Sequence, residues 1–439
     1  MQPSGLLDIR RNLERRVRVT NKMKLIIVGG VAAGASAAAK ARRCNEEADI
    51  ILYEMGEHIS YATCGLPYYL SGIISKRNHL LITSAKFFKQ RFNVDVRTNH
   101  QVLSINREEQ TVQVRNLTTG EVAEERYERL ILATGATPII PPMPGVELPF
   151  VFTLKTLEDT DRIFAHLENE KPETAVVIGG GLIGMEAVEN LVHRGTRVSV
   201  VEFMPQVLPF LDSEMAEVVR HHLKQKGVDV YLSEKVTSIE DREGRGWVRT
   251  DGGQELSSDL VIMSVGIKPN TKLAEDAGLR KGDSGGIAID EFMQTSDPKV
   301  FSAGDCVESV NLVTGKPALI PMGSAANKEG RAAGANAMGR RIAVKGFTGT
   351  VIVKVFDLAV AKTGLSEKEA VSEGFDPLVT YVLSEDHAGY YPGAEMVRVK
   401  TIADRGSDHL RPKKTPRASV RNCLDPNHLG TGIVACVIF

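Results

Sequence analysis

Gly179, Gly181 and Gly184 form a G-x-G-x-x-G pattern between a β-branched run and a helix-like segment. Glycines at this spacing allow a tight turn, close approach of the backbone to a pyrophosphate, and close packing of the next helix. The N–H groups at the start of that helix then face the phosphates. Glu202 ends the next strand, where its carboxylate would accept from both ribose hydroxyls and repel a 2′-phosphate. The pattern predicts a dinucleotide site that favours NADH over NADPH.

The same order of apolar run, clustered glycines and helix-like segment occurs 150 residues earlier. LIIVGGVAAG begins at Leu25, and AVVIGGGLIG begins at Ala175. Val31 occupies the middle glycine position of this first loop, and Glu54 ends the strand that follows. Asp305, in the segment AGDC, could bond the polyol chain of a flavin, although a Gly-Asp pair is also an ordinary turn. The repeat predicts two βαβ nucleotide folds with buried parallel strands.

Cys64 lies in the segment SYATCGLPYY, where Pro67 suits the first turn of a short helix. A helix N-terminus stabilises a thiolate over a thiol, so this position would make the sulfur a nucleophile at neutral pH. An inert buried cysteine is the alternative, and Cys44 and Cys306 keep that interpretation. No C-x-x-C pair or metal-ligand spacing is present among the five cysteines, so we predict no metal site and a reducing, cytoplasmic compartment.

The composition suits a soluble protein of about three domains. The chain has 439 residues, of which 42% are hydrophobic and 25% charged, with a net charge of −1. This balance argues against disorder and offers no basic excess for nucleic acid. The longest apolar stretch, residues 25–39, falls short of the roughly 20 residues that span a membrane.

Changes in residue composition and pattern along the chain predict the domain boundaries. Domain crossovers are expected at the Pro-rich segment after Pro138 and after VIMSVGIKPN, and an Ala/Gly-rich helix near Ala325 is suited to close contact. The predicted units are a disordered extension (1–22), a first nucleotide-binding domain (23–137 and 271–342), a second one (138–270), a partial third domain (343–403) and an atypical tail (404–439).

Two dinucleotide motifs combined with the ATG, VGxxPN and AGD segments resemble the FAD- and NAD-dependent pyridine nucleotide-disulfide oxidoreductases across roughly residues 23–397. The resemblance implies an α/β fold with two Rossmann-like domains, glutathione-reductase-like, and a C-terminal α+β dimerisation domain that here looks incomplete. It implies FAD at the first loop and NADH at the second. The implied FAD contacts are Gly29, Gly30, Ala33, Gly34, Glu54, Val102, Ala133, Thr134, Gly135, Asp305 and Ala325. The implied NADH contacts are Gly179, Gly181, Ile183, Gly184, Glu202 and Gly266.

Within this family, the segments around Cys64 and HAGYYPGA from His387 look like coenzyme A-disulfide reductases and NADH-dependent polysulfide reductases. That subgroup shares the GGVAxG variant, which accounts for Val31. By the resemblance, the coenzyme lies along the helix after the first loop, and Tyr390 or Tyr391 reaches Cys64 of a partner subunit in a homodimer as proton donor. The candidate coenzyme contacts are Ser36, Lys40, Arg43, Ser60, Thr63, Arg91 and Asn327.

The sequence thus predicts a cytoplasmic flavoprotein that reduces coenzyme A disulfide through Cys64, acting on small molecules and not on nucleic acid or membranes. Polysulfide reduction is the nearest alternative, because the same thiolate can attack sulfane sulfur. An NADH oxidase using a Cys64 sulfenic acid is a third possibility, although the first glycine loop lacks the histidine found in peroxidases and oxidases of the family. A crippled flavoprotein retained for binding is the non-enzymatic alternative.

The segment after Ala403 is rich in Lys and Arg and has little apolar periodicity. A frameshifted or truncated reading frame would produce such a pattern, and a genuine divergent tail is the alternative. An incomplete third domain would keep an open sheet edge and favour aggregation or weak dimers.

Overall fold

The structure, a computed structural model, describes residues 22–405 and 434–438. Residues 22–138 form β1 (Lys24–Val28), α1 (Ala32–Cys44), β2 (Asp49–Tyr53), α2 (Leu66–Leu70), α3 (Ala85–Phe92), β3 (Asp95–Arg97), β4 (His100–Asn106), β5 (Thr111–Asn116), β6 (Val122–Arg126), β7 (Arg129–Leu132) and β8 (Ala136–Pro138). Short 3₁₀ turns occupy Thr63–Gly65 and Arg77–Leu80.

The middle of the chain forms the next set of elements. Residues 139–270 form β9 (Val151–Thr153), α4 (Leu157–Glu170), β10 (Thr174–Ile178), α5 (Leu182–His193), β11 (Arg197–Glu202), α6 (Ser213–Gln225), β12 (Asp229–Leu232), β13 (Val236–Arg242), β14 (Arg245–Thr250), β15 (Glu255–Ser258), β16 (Leu260–Met263) and β17 (Ile267–Pro269).

The chain then returns to the first domain and ends in a third. Residues 271–345 form α7 (Lys272–Asp276), β18 (Ile287–Ala288), β19 (Val300–Ser302), β20 (Val307–Val310), β21 (Pro317–Ala318) and α8 (Gly323–Ala337). Residues 346–438 form β22 (Val351–Val355), β23 (Leu358–Thr363), α9 (Glu367–Ser372), β24 (Pro377–Glu385), β25 (Met396–Asp404) and β26 (Val434–Ile438). No helix in these described ranges is long and apolar enough to cross a membrane.

Two parallel five-stranded sheets form the centres of the two nucleotide-binding domains. Their orders are β19-β7-β1-β2-β3 and β12-β11-β10-β16-β9. In each sheet the strand before the glycine loop lies centrally, with its βαβ partner on one side, as β1 pairs with β2 and β10 with β11. Most residues of these four strands are buried, because one face of each sheet packs against helices. The other face packs against a three-stranded antiparallel sheet, β4-β5-β6 in the first domain and β13-β14-β15 in the second. The predicted α/β class with two Rossmann-like units is confirmed.

The two chain crossings between these domains run side by side. β8 pairs antiparallel with β17, so Pro138 lies opposite Ile267. Both crossings were predicted from the texture of the sequence, and their pairing forms a two-stranded link between the domains. The chain leaves the first domain at β8 and re-enters it after β17, which fixes the relative position of the two glycine loops.

The Ala/Gly-rich helix α8 packs against α1 at backbone distance. A Cβ at Gly330 would lie 2.2 Å from the carbonyl oxygen of Ala33, and one at Gly334 would lie 2.2 Å from that of Ala37. Both distances are far below van der Waals contact, so only glycine fits at these positions. The close contact that the composition predicted is therefore made with the helix that follows the first glycine loop.

The third domain contains an antiparallel sheet of order β22-β23-β26-β25-β24. Val434–Ile438 lies between β23 and β25, so part of the predicted atypical tail supplies a central strand. The apolar run IVACVIF suits such a position, but little periodicity in the preceding residues pointed to it. Residues 406–433, which carry most of the predicted tail, lie outside the described residues, as do residues 1–21 of the predicted extension.

A buried ammonium group joins the third domain to the second. Lys400 on β25 is 1% exposed, and its Nζ lies 3.0 Å from Asp212 Oδ2 and 2.7 Å from Glu367 Oε2. Glu214 is a third partner of the same nitrogen. Asp212 also accepts the Glu367 N–H at 2.9 Å. Burial opposes the charge, but the three carboxylates raise the pKa of Lys400 overall, so the cation is retained at neutral pH.

We predict that Lys400→Met destabilises the protein by about 3–5 kcal/mol, the usual cost of removing one partner from a buried ion pair. The three acidic groups would then face one another without a cation. Urea unfolding followed by circular dichroism measures the change. Lys272→Met, which removes an exposed i,i+4 pair with Asp276, is the matched control and should leave the midpoint of urea unfolding nearly unchanged. Equal effects of the two variants would contradict the prediction.

Candidate active site

The first glycine loop is shaped by contacts that exclude any side chain. Gly29 has φ +98°, and a Cβ there would lie 2.1 Å from the Ala133 carbonyl oxygen. A Cβ at Gly34 would lie 1.8 Å from the Gly29 carbonyl oxygen, so α1 begins directly against the loop. Val31, the departure from the consensus, is the N-cap of α1 and makes no side-chain cap hydrogen bond. The first N–H groups of α1 are therefore free of a side-chain acceptor, as a pyrophosphate site requires.

Glu54 fixes this loop from the end of β2. Its Oε2 accepts the Gly30 N–H at 2.6 Å, and its Oε1 accepts the Gly56 N–H at 2.8 Å. Burial raises the pKa of Glu54, and these backbone hydrogen bonds oppose the shift. Val102 lies on β4, whose first residue, His100, donates its N–H to the Glu54 carbonyl oxygen at 2.9 Å. Glu54 therefore lies directly against the first glycine loop, at the end of the second strand of the βαβ unit.

The second loop repeats this geometry. Glu202 Oε2 accepts the Gly180 N–H at 2.5 Å, and its Oε1 accepts the Met204 N–H at 2.7 Å. A Cβ at Gly184 would lie 2.0 Å from the Gly179 carbonyl oxygen, whereas nothing lies within 4 Å of one at Gly181. Gly181 is the N-cap of α5 and, like Val31, provides no side-chain cap. Open space beside uncapped N–H groups fits a second pyrophosphate.

The remaining predicted cofactor contacts surround these two loops. Ile183 follows Gly181 in the first turn of α5, and Gly266 has φ +120° just before β17. Ala325 is buried in the first turn of α8. These three positions lie on helices and turns around the two glycine loops. In each domain, the glycine loop contacts the end of a neighbouring strand.

The ATG turn and Asp305 make hydrogen bonds that the sequence did not predict. Thr134 Oγ1 donates to the Asn270 carbonyl oxygen at 2.7 Å, and Asn270 Nδ2 returns a bond to the Thr134 carbonyl oxygen at 2.8 Å. Gly135 has φ +67°, which closes the turn. Asp305 Oδ2 lies 3.1 Å from Nζ of Lys155, which comes from the second domain. Nothing in the sequence indicated the pairing of Lys155 with Asp305, because 150 residues separate them. Asn270, in contrast, ends the VGxxPN motif.

Cys64 lies in the 3₁₀ turn Thr63–Gly65, directly before α2. The predicted short helix exists, with Pro67 in its first turn, but it begins at Leu66, two residues after the thiol. Leu66 and Leu70 are buried in a core shared with α5. Cys64 is exposed, while Cys306 is buried and Cys44 is half-buried. An accessible sulfur on a turn packed against the second domain fits the predicted nucleophile and leaves the other two as the inert cysteines expected.

The segment before Cys64 is held in a strained conformation beside the first glycine loop. Ser60 has φ +48°, a left-handed value that costs a β-carbon residue about 1 kcal/mol. Its N–H donates to the Gly30 carbonyl oxygen at 3.0 Å, and its own carbonyl accepts the Ile82 N–H at 2.9 Å. These bonds compensate the strain and tie the cysteine segment to the loop. Ser60 and Thr63 therefore share one short segment with Cys64.

Tyr68 interacts electrostatically with the thiol and with two acidic groups of α5, and sequence reasoning missed all three residues. Burial and the nearby Glu189 raise the pKa of Glu186 to about 7. Burial, followed by Glu186, Glu189 and Cys64, raises the pKa of Tyr68 to about 12. Glu189 is fully buried, pairs with Lys354 and accepts the Phe356 N–H at 3.1 Å. The one sequence feature that could have indicated Glu186 as a candidate site residue is its position in the helix after the glycine motif.

The other predicted coenzyme contacts fall on α1, α3 and α8. Asn327 Nδ2 donates to Ser36 Oγ at 2.8 Å, which brings together two candidates 291 residues apart. The Arg43 guanidinium lies over the ring of Phe92 at 5.6 Å, next in the chain to Arg91. Lys40 lies on α1, one turn before Arg43. The structure thus places these candidates on three neighbouring elements, although the sequence separates them widely.

Tyr390 and Tyr391 lie on the loop between β24 and β25, 84% and 59% exposed. Their rings are 4.9 Å apart, and His387 contacts the second ring at 6.3 Å between centroids. His387 Nδ1 lies 2.7 Å from Asp386 Oδ1. The loop is closed by a hydrogen bond from the Asp386 N–H to the Glu395 carbonyl oxygen at 3.0 Å. Both tyrosines are therefore presented outward by a loop with its own internal bonds.

Comparison with known proteins agrees with this geometry. The family described as "Pyridine nucleotide-disulphide oxidoreductase" matches residues 23–327. The NAD(P)H sulfur oxidoreductase (CoA-dependent) of Pyrococcus furiosus is 38% identical over 390 residues, covering 89% of this chain and 87% of that protein. The coenzyme A disulfide reductase of Staphylococcus haemolyticus is 32% identical over 388 residues, covering 88% and 86%.

A solved structure shares the whole arrangement. Reduced CoADR-RHD of Bacillus anthracis superimposes with a TM-score of 0.87 at 39% identity. The match covers 95% of this chain and 71% of that chain. The similarity extends through the third domain, beyond the range that the family match covers.

We predict that Gly184→Ala and Gly181→Ala fail in different ways. Gly184→Ala forces a shift of the backbone at Gly179 and should lower stability by about 1–3 kcal/mol, as overpacking does. Gly181→Ala meets no protein atom, so the melting temperature should stay unchanged while the KM for NADH rises tenfold or more, because the methyl group occupies the space of the pyrophosphate. Calorimetry and steady-state kinetics measure the two effects. An unchanged KM in Gly181→Ala would contradict the assignment.

Proposed function

The chain belongs to the pyridine nucleotide-disulphide oxidoreductases, and we propose that it uses NADH and FAD to reduce coenzyme A disulfide through Cys64. The observation that carries this proposal is the exposed thiol on a turn bonded to the first glycine loop and packed against the helix of the second. A sulfur at this junction can receive electrons on one side and meet a bulky substrate on the other.

The residues described above fit both cofactors. Gly29, Gly30 and Gly34 would hold the FAD pyrophosphate, with Glu54 at its ribose and Asp305 at its polyol chain. Gly179, Gly181 and Gly184 would hold NADH, with Glu202 at its ribose. When bound, FAD supplies two-electron transfer from the nicotinamide to a sulfur–sulfur bond. The protein contributes orientation, because both glycine loops are anchored to strand ends and joined by the β8–β17 link.

Cys64 performs the exchange chemistry. Its thiolate attacks one sulfur of coenzyme A disulfide, which forms a Cys64–coenzyme A mixed disulfide and releases one coenzyme A thiolate. Two electrons and one proton then cleave the mixed disulfide, releasing the second coenzyme A as a thiol and restoring the Cys64 thiolate. The thiol needs no partner cysteine in this cycle, and the reaction suits a reducing, cytoplasmic compartment.

Coenzyme A would be recognised by the candidates on α1, α3 and α8. Ser36 and Asn327, already joined by a hydrogen bond, would position the chain of the coenzyme beside the first loop. Lys40, Arg43 and Arg91 would bind its phosphates, for which guanidinium and ammonium groups are well suited. Ser60 and Thr63 would line the approach to the sulfur.

Tyr390 or Tyr391 of a partner subunit would supply the proton in a homodimer. The support is the exposure of both side chains and an apolar surface on the neighbouring edge strand. That surface comprises Leu378, Tyr381, Val382 and Leu383, which are 46%, 47%, 44% and 55% exposed. Because successive residues of a strand point to opposite faces, Leu378 and Val382 are exposed on one face of the strand and Tyr381 and Leu383 on the other. Exposed apolar side chains on an edge strand favour contact with another chain.

Polysulfide or persulfide is the second candidate substrate. The Pyrococcus relative is named as a sulfur oxidoreductase that depends on coenzyme A, and the same Cys64 thiolate could attack sulfane sulfur. An oxidase cycle would instead oxidise Cys64 to a sulfenic acid. Anaerobic NADH consumption with coenzyme A disulfide, polysulfide and peroxide, compared side by side, distinguishes these acceptors. Absence of NADH turnover with all of them would indicate a flavoprotein retained for binding.

We predict that Cys64→Ser abolishes coenzyme A-disulfide reduction while FAD content and NADH-to-dye electron transfer persist, because flavin binding uses other residues. Cys44→Ser is the matched control and should keep full turnover. Mass spectrometry of the intact protein should find one coenzyme A on the parent chain and none on Cys64→Ser. A Cys64→Ser variant with more than about a tenth of the parent turnover, a barrier change below about 1.4 kcal/mol, would refute the mechanism.

We also predict a preference for NADH that depends on Glu202. A 2′-phosphate at this carboxylate meets like charge, and both carboxylate oxygens are already fixed by backbone N–H groups. Glu202→Ala should narrow the ratio of kcat/KM for NADH over NADPH by tenfold or more. Asp229→Ala, on the neighbouring strand of the same sheet, should leave the ratio unchanged. An unchanged ratio in Glu202→Ala would show that another group selects the cofactor.

A further inference from the structure

Glu329 is a buried carboxyl group that the proposed cycle does not use. It lies on α8, is 2% exposed, and is surrounded by the small residues that let α8 approach α1. Its Oε2 accepts the N–H of Gly304 at 2.9 Å. Among the described residues no cation pairs with it, whereas the equally buried Glu189 has Lys354. A buried carboxyl group kept without a cation calls for a role in holding something else.

Gly304 is the residue whose backbone N–H the Glu329 carboxyl group accepts. It has φ +89°, and a Cβ there would lie 2.8 Å from the Cβ of Ala33 in the first turn of α1. The next residue is Asp305, the acid assigned to the flavin polyol. The Gly304 N–H thus belongs to a turn wedged between the phosphate-binding helix and α8, and Glu329 supplies a hydrogen-bond acceptor to that N–H.

We propose that Glu329 is a positioning residue of the flavin site, which holds the Gly304 turn and thereby presents Asp305 to the cofactor. The inference rests on the proposed function, because it assumes FAD on the first glycine loop. Losing the acceptor would leave a buried N–H unsatisfied and free the turn. Asp305 would then lose its fixed position, with only Lys155 to orient it.

The same group connects flavin binding to pH. Burial raises the pKa of Glu329 to about 7; hydrogen bonds from Gly304 and Ser309 oppose this shift, and the charge of Asp305 reinforces it. Asp305, with its partner Lys155, is the charged neighbour. The apolar cluster that α1, α8, β7 and β19 form on this side contributes Ala33, Ala326, Ile131 and Phe301.

The direction of the pH effect follows from charge. Below pH 7 the Glu329 carboxyl is mostly neutral, and above pH 7 it adds a negative charge beside Asp305, in a domain that would have to bind an anionic cofactor. FAD binding should therefore favour the protonated form, and FAD should dissociate faster at pH 8 than at pH 6. A neutral side chain that still accepts the Gly304 N–H should remove the difference.

The test follows FAD release from diluted holoenzyme by the fluorescence of free flavin at pH 6 and pH 8. The parent chain should release FAD at least threefold faster at pH 8. Glu329→Gln, whose amide oxygen can accept the Gly304 N–H, should release FAD slowly at both values. Glu329→Ala should release it about tenfold faster than the parent at pH 6. Glu186→Gln, which changes another carboxyl group of pKa about 7 in the second domain, should keep the parent pH dependence.

Two results would overturn the inference. Glu329→Ala with the parent release rate would show that the turn does not depend on this acceptor, and Glu329→Gln with the parent pH dependence would show that another group titrates. A purified parent protein that takes up no FAD would instead refute the proposed function and the inference together. If Glu329→Ala does not fold, Glu329→Gln alone decides the question.

Discussion

Backbone approaching backbone without an intervening side chain is the constraint on which the site depends. Gly34 contacts the Gly29 carbonyl, Gly184 contacts the Gly179 carbonyl, and α8 contacts α1 through Gly330 and Gly334. A methyl group at any of these positions would overlap a carbonyl atom, and interiors packed at this density do not absorb such a volume cheaply. In the first half these close contacts bring together the N-terminus of α1, Glu54 and the Gly304 turn. In the second half they bring together the N-terminus of α5 and Glu202.

Local chemistry was predictable from the sequence wherever it depends on neighbours along the chain. The glycine loops, the acids at Glu54 and Glu202, and the short helix after Cys64 follow from residue type and spacing. Pairs made across domains were not, since Lys155 meets Asp305 and Lys400 meets Asp212 only after the chain has folded. Cys64, which was predicted at the N-terminus of the short helix, lies instead in a 3₁₀ turn directly before α2.

The buried carboxyl groups of this protein have different bonding partners, which indicates different roles. Glu189 receives a lysine from the third domain and a backbone N–H, so its charge joins two domains. Glu186 and Glu329 keep a raised pKa near neutrality. Leaving such groups without a cation costs stability. Glu186 lies on the helix that follows the second glycine loop, and Glu329 lies on the helix that packs against α1. Perturbed acids concentrate where function requires them, although ion networks such as that of Lys400 also perturb pKa values.

The exposure of Cys64 fits the role proposed for its sulfur. A thiol that exchanges with a coenzyme disulfide has to be open to a large substrate, while its mixed disulfide has to stay within reach of the flavin. Cys64 meets both requirements because it lies on a short turn whose flanking residues are held in place. Ser60 is bonded to the glycine loop, and Leu66 and Leu70 are packed against the second domain. The left-handed conformation of Ser60 and the packed flanks of the turn thus hold an accessible sulfur between the first glycine loop and α5.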